Sequence, residues 1–202
     1  MDAASVRVEP REVFARIGGD VCLDLVNTVD WRLSATRRIE HLAEFADLVR
    51  WAVQTGLIDA AEAAALTASA EADPQAAAAE LDRVVALREA FYAAAFEAGP
   101  ADPVTAEHAA AVAAGGLQQH DDEWRWRHPV NLALPRRRIA IAMLDLLRHG
   151  RTDRLRQCGD AACGWVFLDT SPRHNRRWCV SEDCGNRNRV RGYYARTRAA
   201  AG

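Results

Sequence analysis

CGDAACGWVFLDTSPRHNRRWCVSEDCGNR, residues 158–187, holds four of the chain's five cysteines as two Cys-x4-Cys pairs separated by fifteen residues. Paired cysteines at this spacing, in a chain expected to be cytoplasmic, point to a metal site before they point to disulfides. Zinc takes four thiolates tetrahedrally, and each short loop between paired cysteines can supply two of them from one turn. Cys158, Cys163, Cys179 and Cys184 are therefore the candidate ligands of one Zn2+. A catalytic zinc usually keeps an open fourth position, so four cysteines argue for a closed, structural site. Disulfides and an iron–sulfur cluster are the alternatives, and such clusters usually take other spacings. Cys22 lies in an apolar run far from this group and reads as a small buried hydrophobe.

Between the pairs, Gly164-Trp165-Val166-Phe167-Leu168 is strand-like and residues 169–175 form a polar turn around Pro172. Arg176-Arg177-Trp178 returns to the second pair, which predicts a hairpin joining two knuckles and a helix from about Cys184 onward, a treble-clef-like arrangement. Trp165 and Trp178 flank that hairpin as its small core. So small a module buries little apolar surface, so metal ligation must supply folding energy on the order of 10–16 kcal/mol.

Several fixed positions go beyond the ligands. Cys158-x4-Cys163-Gly164-Trp165-Val166-Phe167-x-Asp169-x-Ser171, followed by Arg177-Trp178-Cys179-x4-Cys184-Gly185-Asn186-Arg187, resembles the CGNR zinc-finger family over roughly residues 154–198. Val180-Ser181 and Asn188-Arg189 depart from the family's usual Ser-Met and Ala-Lys, and neither pair touches a ligand position. Gly18-Gly19-Asp20-x-Cys22-Leu23-Asp24-Leu25-Val26-Asn27-Thr28 and Leu48-Val49-x-Trp51 resemble the ABATE domain, that family's usual partner. The resemblance implies a bacterial stress-related transcription regulator, with the finger binding DNA and the larger domain sensing a small ligand.

Upstream of the finger the pattern is helical. Residues 1–19 read as an irregular entry, and the Gly18-Gly19 break precedes a short apolar helix from Val21. Leu42, Phe45, Leu48, Val49, Ala52 and Val53 predict an amphipathic helix over residues 41–55, closed by Gly56. Asp59 caps a helix over roughly 60–70, and Asp73-Pro74 opens a long one ending near Gly99-Pro100. The alanine-rich stretches 60–79 and 106–114 are helix scaffold. Trp124-Arg125-Trp126-Arg127-His128 alternates with period two and pairs with Leu117–His120 across Asp121-Asp122. Pro135 opens a final helix stopped by Gly150. The fold class is mainly α, with a multihelical domain over residues 1–150 bearing one small β-hairpin, and a treble-clef-like four-cysteine zinc finger over residues 151–202.

Charge separates the two parts. The formal total of −2 divides into −8 for residues 1–150 and +6 for residues 151–202, and every basic side chain apart from histidine is arginine. Arg187, Arg191, Tyr194 and Arg198 share one helical face, with Arg189 and Arg196 flanking it. These five arginines are the candidate nucleic-acid contacts, for phosphates or guanine edges. If about four phosphates are neutralised, the salt slope is near −3.6 and affinity falls about a hundredfold between 50 and 200 mM salt. Arg187 has a second reading as a brace of the knuckle, with Asp169 as its partner, and Asn186 reads as a cap or turn residue around the metal site.

In the larger domain Asp24, Asn27, Thr28 and Arg32 are polar groups threaded through an apolar helix. They either line a ligand pocket, with Arg32 holding an anion, or fix the neighbouring loop by internal hydrogen bonds. Neither a Gly-rich phosphate loop, a His-Glu-x-x-His nor a Gly-x-Ser-x-Gly elbow occurs, so an enzyme is the weakest reading. With half its residues apolar and no apolar run of membrane-spanning length, the chain reads as soluble and without a membrane partner. Duplex DNA is the expected partner, RNA or a protein the alternatives, and a homodimer is compatible with the sequence although no heptad seam supplies one.

Overall fold

The structure is a computed structural model that describes residues 13–200; of the irregular entry expected over residues 1–19, residues 1–12 lie outside them and residues 13–19 form neither helix nor strand. Asp20 caps α1 (Val21–Val26), its carboxylate accepting from the Cys22 N–H at 2.8 Å. Five of the six helical residues are buried, so this short helix is surrounded by the others rather than laid on a surface. β1 (Val29–Asp30) and β2 (Ile39–Glu40) then form a two-residue antiparallel ladder that no sequence pattern announced. It is a second small strand pair in the larger domain, where the sequence pointed to one hairpin.

α2 (Phe45–Thr55) begins four residues later than the start expected at residue 41. The Asp47 carboxylate accepts from the backbone of Ala43 and Glu44, and this capping box fixes the first turn. Gly56, at φ 74°, closes the helix in the left-handed region that favours glycine. α3 (Ala60–Ala72) carries the Asp59–Glu62 capping box, and α4 (Pro74–Phe96) starts at the expected cap and N1 proline. α5 (Asp102–Ala114) leads into the hairpin of β3 (Gly116–His120) and β4 (Glu123–Arg127), in which Leu117 faces Trp126. Trp126 packs on the core while Trp124 stays exposed. α6 (Leu134–His149) ends at Gly150 as expected.

The core lies where α1 meets α4 and α6, around Leu23, Leu25, Trp51, Phe91, Ile139 and Met143. The alanine-rich helices contribute little to it beyond Leu66 of α3 and Val104 and Ala111 of α5. Inside that apolar mass sits Arg88, whose side chain is fully buried. It donates to both Glu40 oxygens at 2.8 and 2.6 Å, to the Thr28 hydroxyl at 2.8 Å and to Glu89 at 2.8 Å, joining α4 to β2 and to the end of α1. Burial opposes ionisation of Glu89, but the hydrogen bond from Arg32 and the charge of Arg88 outweigh it and hold the carboxyl below its usual range. Among the described residues no helix is long and apolar enough to cross a membrane.

Beyond α6, β5 (Leu155–Gln157) pairs antiparallel with β6 (Val166–Leu168), and α7 (Asn186–Ala200) ends the described chain. The expected partner of the 164–168 strand was residues 176–178. Its partner is instead the segment just before Cys158, because the first cysteine loop itself turns the chain back. Residues 176–178 meet the first knuckle through the hydrogen bond from the Gly159 N–H to the Arg177 carbonyl at 2.8 Å and through the Trp178 indole, which lies against Gly159.

Replacing Arg88 by alanine leaves the Glu40 carboxylate and the Thr28 hydroxyl without their cation, while Glu89 keeps Arg32. The expected cost is about 3–5 kcal/mol, measured as a lower urea midpoint at unchanged m value.

Candidate metal centre and its seat on the larger domain

The first cysteine loop is organised by Asp160. Its carbonyl accepts from the Cys163 N–H at 3.0 Å and its carboxylate from the Ala162 N–H at 3.0 Å, so Cys158 and Cys163 leave the same turn. In the second loop the Arg176 guanidinium donates to the carbonyls of Trp178 at 3.1 Å and Cys179 at 2.6 Å while lying 4.0 Å from the centre of the Phe167 ring. Buried Asp169 closes the 169–176 loop by accepting from the Ser171 N–H and hydroxyl and from the Arg176 N–H. A widened turn over Ser181–Gly185 carries Cys184 into α7.

All four sulfurs lie within 4.8 Å of one another, with Cys163–Cys179 at 3.7 Å and Cys179–Cys184 at 3.5 Å. A tetrahedron with metal–sulfur bonds of ~2.3 Å has edges of about 3.8 Å, so the donor set fits one tetrahedral ion. The thiols are buried. Hydrogen bonding within the cluster holds Cys158 down and pushes Cys163 up, and burial pushes Cys184 up, so a bound cation would be needed to favour all four as thiolates together. The fully buried Phe167 fills the space beneath them, with Trp165 and Trp178 partly buried at its side.

The tetrapeptide after the last cysteine serves this geometry. Gly185 lies where a Cβ would come within 3.1 Å of the Trp178 indole. Asn186 donates to the Glu182 carbonyl at 2.6 Å, the local turn bond expected of it. Arg187 donates to the Cys184 sulfur at 2.8 Å and to Asp160 at 3.1 Å, so it braces the knuckle as the alternative reading held, with Asp160 rather than Asp169 as its partner. Asn188 adds a donor to Asp160 at 2.9 Å. Asp160 thus ties the first cysteine loop to the start of α7, a role carrying no sequence signal beyond an acid between two cysteines.

Asp24, Asn27, Thr28 and Arg32 form a seam rather than the lining of one pocket, because protein partners take up their polar groups. Asp24 accepts from the Gly18 N–H at 2.8 Å and also borders a surface cleft with Arg16 and Thr55. Asn27 pairs reciprocally with Val166 of β6, donating to its carbonyl and accepting from its N–H, each at 2.8 Å. Thr28 donates to the Leu25 carbonyl at 2.7 Å and accepts from Arg88. Arg32 lies over Tyr92, pairs with Glu89, and donates to the Val26 carbonyl at 3.0 Å; its side chain is only 5% exposed. Its Nε is left without a hydrogen-bond partner, but it is buried away from solvent.

The same seam is extended by the Leu168 N–H to the Gly18 carbonyl at 2.8 Å, the Trp165 indole N–H to the Val29 carbonyl at 3.0 Å, and the Arg32 N–H to the Cys163 carbonyl at 2.9 Å. Gly164, at φ 72°, permits that last approach: a Cβ there would lie 2.7 Å from the Arg32 Cβ. Between the seam and the knuckle opens a cleft of about 280 Å3 bordered by Asp30, Trp31, Asp183 and Arg187.

Of the remaining candidate contacts, Arg189, Arg191, Arg196 and Arg198 are exposed on α7. Arg191 reaches Asp160 only at 3.5 Å, and among the described residues no carboxylate pairs with Arg189, Arg196 or Arg198. Tyr193 and Tyr194 are exposed beside them, in edge contact at 5.7 Å.

Two family models match the chain. Residues 154–197 match the CGNR zinc finger, and residues 19–150 match ABATE, described as "Putative stress-induced transcription regulator". No curated protein matches it.

Replacing Asn27 by alanine strips Val166 of both main-chain partners in a buried position. Two unsatisfied groups should cost about 2–4 kcal/mol, read by chemical denaturation, and should speed proteolytic release of the segment after residue 150.

Proposed function

The chain belongs to the ABATE family, described as "Putative stress-induced transcription regulator", and carries a CGNR zinc finger, and from that premise we propose that it is a zinc-dependent regulator whose finger contacts duplex DNA through α7. In this reading Cys158, Cys163, Cys179 and Cys184 hold one Zn2+. The ion supplies folding energy to a module whose strands are three residues long. With four thiolate ligands the ion has no open position for chemistry, in keeping with families that are a regulator and a zinc finger.

The observation that carries the DNA reading is the surface of α7. This fifteen-residue helix leaves the last cysteine loop with four exposed arginines and no acidic residue. At 1.5 Å per residue it is about 22 Å long, enough to lie in or across a major groove about 12 Å wide. Arg187 is withdrawn from this set, because its guanidinium is engaged with Cys184 and Asp160. Arg189, Arg191, Arg196 and Arg198 remain to neutralise phosphates or reach guanine edges.

The proposal gives the larger domain the ligand-responsive part. Its seat is the groove of about 430 Å3 between α2, α3 and α4, floored by Phe45, Val49, Ala77 and Leu81. In the Asp24–Arg32 seam most polar atoms are bonded internally, and the unpartnered Arg32 Nε is buried, so the groove is the better seat.

Elemental analysis of the purified protein is expected to give one zinc per chain, and chelation to unfold the finger, seen as new exposure of Trp165 and Trp178. The zinc-loaded protein should bind short duplex DNA with a salt slope to which the four α7 arginines contribute about −3.6, and Arg191→Glu should weaken that binding. A zinc-free protein with a folded finger would overturn the metal assignment. Salt-insensitive binding, preference for an RNA of the same sequence, or no binding would overturn the DNA reading.

A further inference from the structure

We propose that the nucleic-acid surface is shared between the two domains, with Arg37 and Arg38 of the loop between β1 and β2 contacting the phosphate backbone beside the start of α7. The proposal rests on the DNA reading given above and extends it to the larger domain. Residues 31–38, WRLSATRR, carry three arginines and no acid, in a domain whose net charge is −8. A polyanion lying along α7 would be repelled by an acidic neighbour unless the part nearest the finger were cationic.

The structure puts this loop at the finger. The Arg32 N–H bonds the Cys163 carbonyl at 2.9 Å, and a tight turn follows, with the Ser34 N–H on the Trp31 carbonyl at 2.8 Å. Trp31, held at φ 51°, presents its indole to two guanidiniums: that of Arg37 from the loop, 3.5 Å from the ring centre, and that of Arg187 from α7, 4.5 Å away. One aromatic ring therefore joins the arginines of the larger domain to those of the finger.

Local carboxylates do not cancel this charge. Among the described residues none pairs with Arg37, which is exposed. Arg38 is half-exposed, and its one carboxylate, Glu89 at 3.7 Å, already takes Arg32 and Arg88. With Glu40 also taking Arg88, three guanidiniums share two carboxylates, which leaves a surplus of one positive charge, and Arg38 is the member of the group that reaches solvent. Asp30 is engaged with His41 at 3.0 Å, and Asp183 borders the cleft behind Trp31. A phosphate is thus favoured at the exposed Arg37–Arg38 rim and disfavoured inside the cleft.

The test is fluorescence anisotropy of the zinc-loaded full chain with a labelled short duplex, titrated with salt between about 50 and 200 mM. Arg37→Ala removes one phosphate contact, so affinity near 0.1 M salt should fall about eightfold and the slope should shrink by about 0.9. Arg37→Ala with Arg38→Ala should shrink it by about 1.8. Arg83→Ala, an exposed α4 arginine paired with Glu80, controls for net charge and should change neither quantity. Zinc content and melting temperature confirm folding, and if Arg37→Ala melts lower, Arg37→Gln replaces it and keeps an alkyl stem over Trp31. If both loop variants keep the wild-type slope while Arg191→Glu loses binding, the shared surface is wrong and the finger reading stands. If the wild-type chain binds no duplex at all, both fail.

Discussion

The reciprocal pair of hydrogen bonds between the Asn27 amide and the main chain of Val166 is the constraint on which the arrangement of the two domains depends. β5 and β6 form a ladder of three residues each, too short to persist alone in water. Phe167 faces β5 across that ladder, so the outward-facing backbone groups of β6 belong to Val166 and Leu168. The larger domain closes that edge: Asn27 takes both groups of Val166 and the Gly18 carbonyl takes the Leu168 N–H. An edge that would otherwise be open for pairing with another chain is consumed inside the molecule. The finger is seated by main-chain geometry that tolerates no slip in register.

Seating the finger this way gives the arginines different roles. Arg88 and Arg32 are buried in the larger domain, where planar guanidiniums satisfy several oxygens at once, which an ammonium could not do in the same space. Arg176 and Arg187 are spent on carbonyls, a sulfur and Asp160 around the cysteine loops. Those farther along α7, with Arg37 and Arg38 at the seam, stay exposed, as do Arg151, Arg173 and Arg177 elsewhere in the finger. The exposed positive charge of the finger is therefore smaller than its formal charge.

Much of the helical layout was legible in the chain because it rests on local rules. Asp59, Asp73 with Pro74, Gly56 and Gly150 start or stop helices where such residues usually do. The hairpin at Trp124–Arg127 followed from period-two alternation across an acidic turn. The starting point of α2 did not, because the apolar stripe runs on past the capping box that sets it. The β1–β2 ladder left no trace either, since two-residue strands have no period to detect.

By itself the sequence determined the four-cysteine cluster, the helical class and the opposite charges of the two parts, because each depends on spacing, cap chemistry or composition along the chain. Tertiary structure alone decided which strand β6 pairs with, that Asp160 is the partner of Arg187, and that Asn27, Thr28 and Arg32 fasten a seam instead of lining a pocket. Those outcomes depend on hydrogen-bond partners more than a hundred residues away in the case of Asn27 and Val166. A polar side chain carries no mark in its own neighbourhood of whether a distant backbone or a ligand will satisfy it; that is settled when the two surfaces meet and every buried donor must find an acceptor.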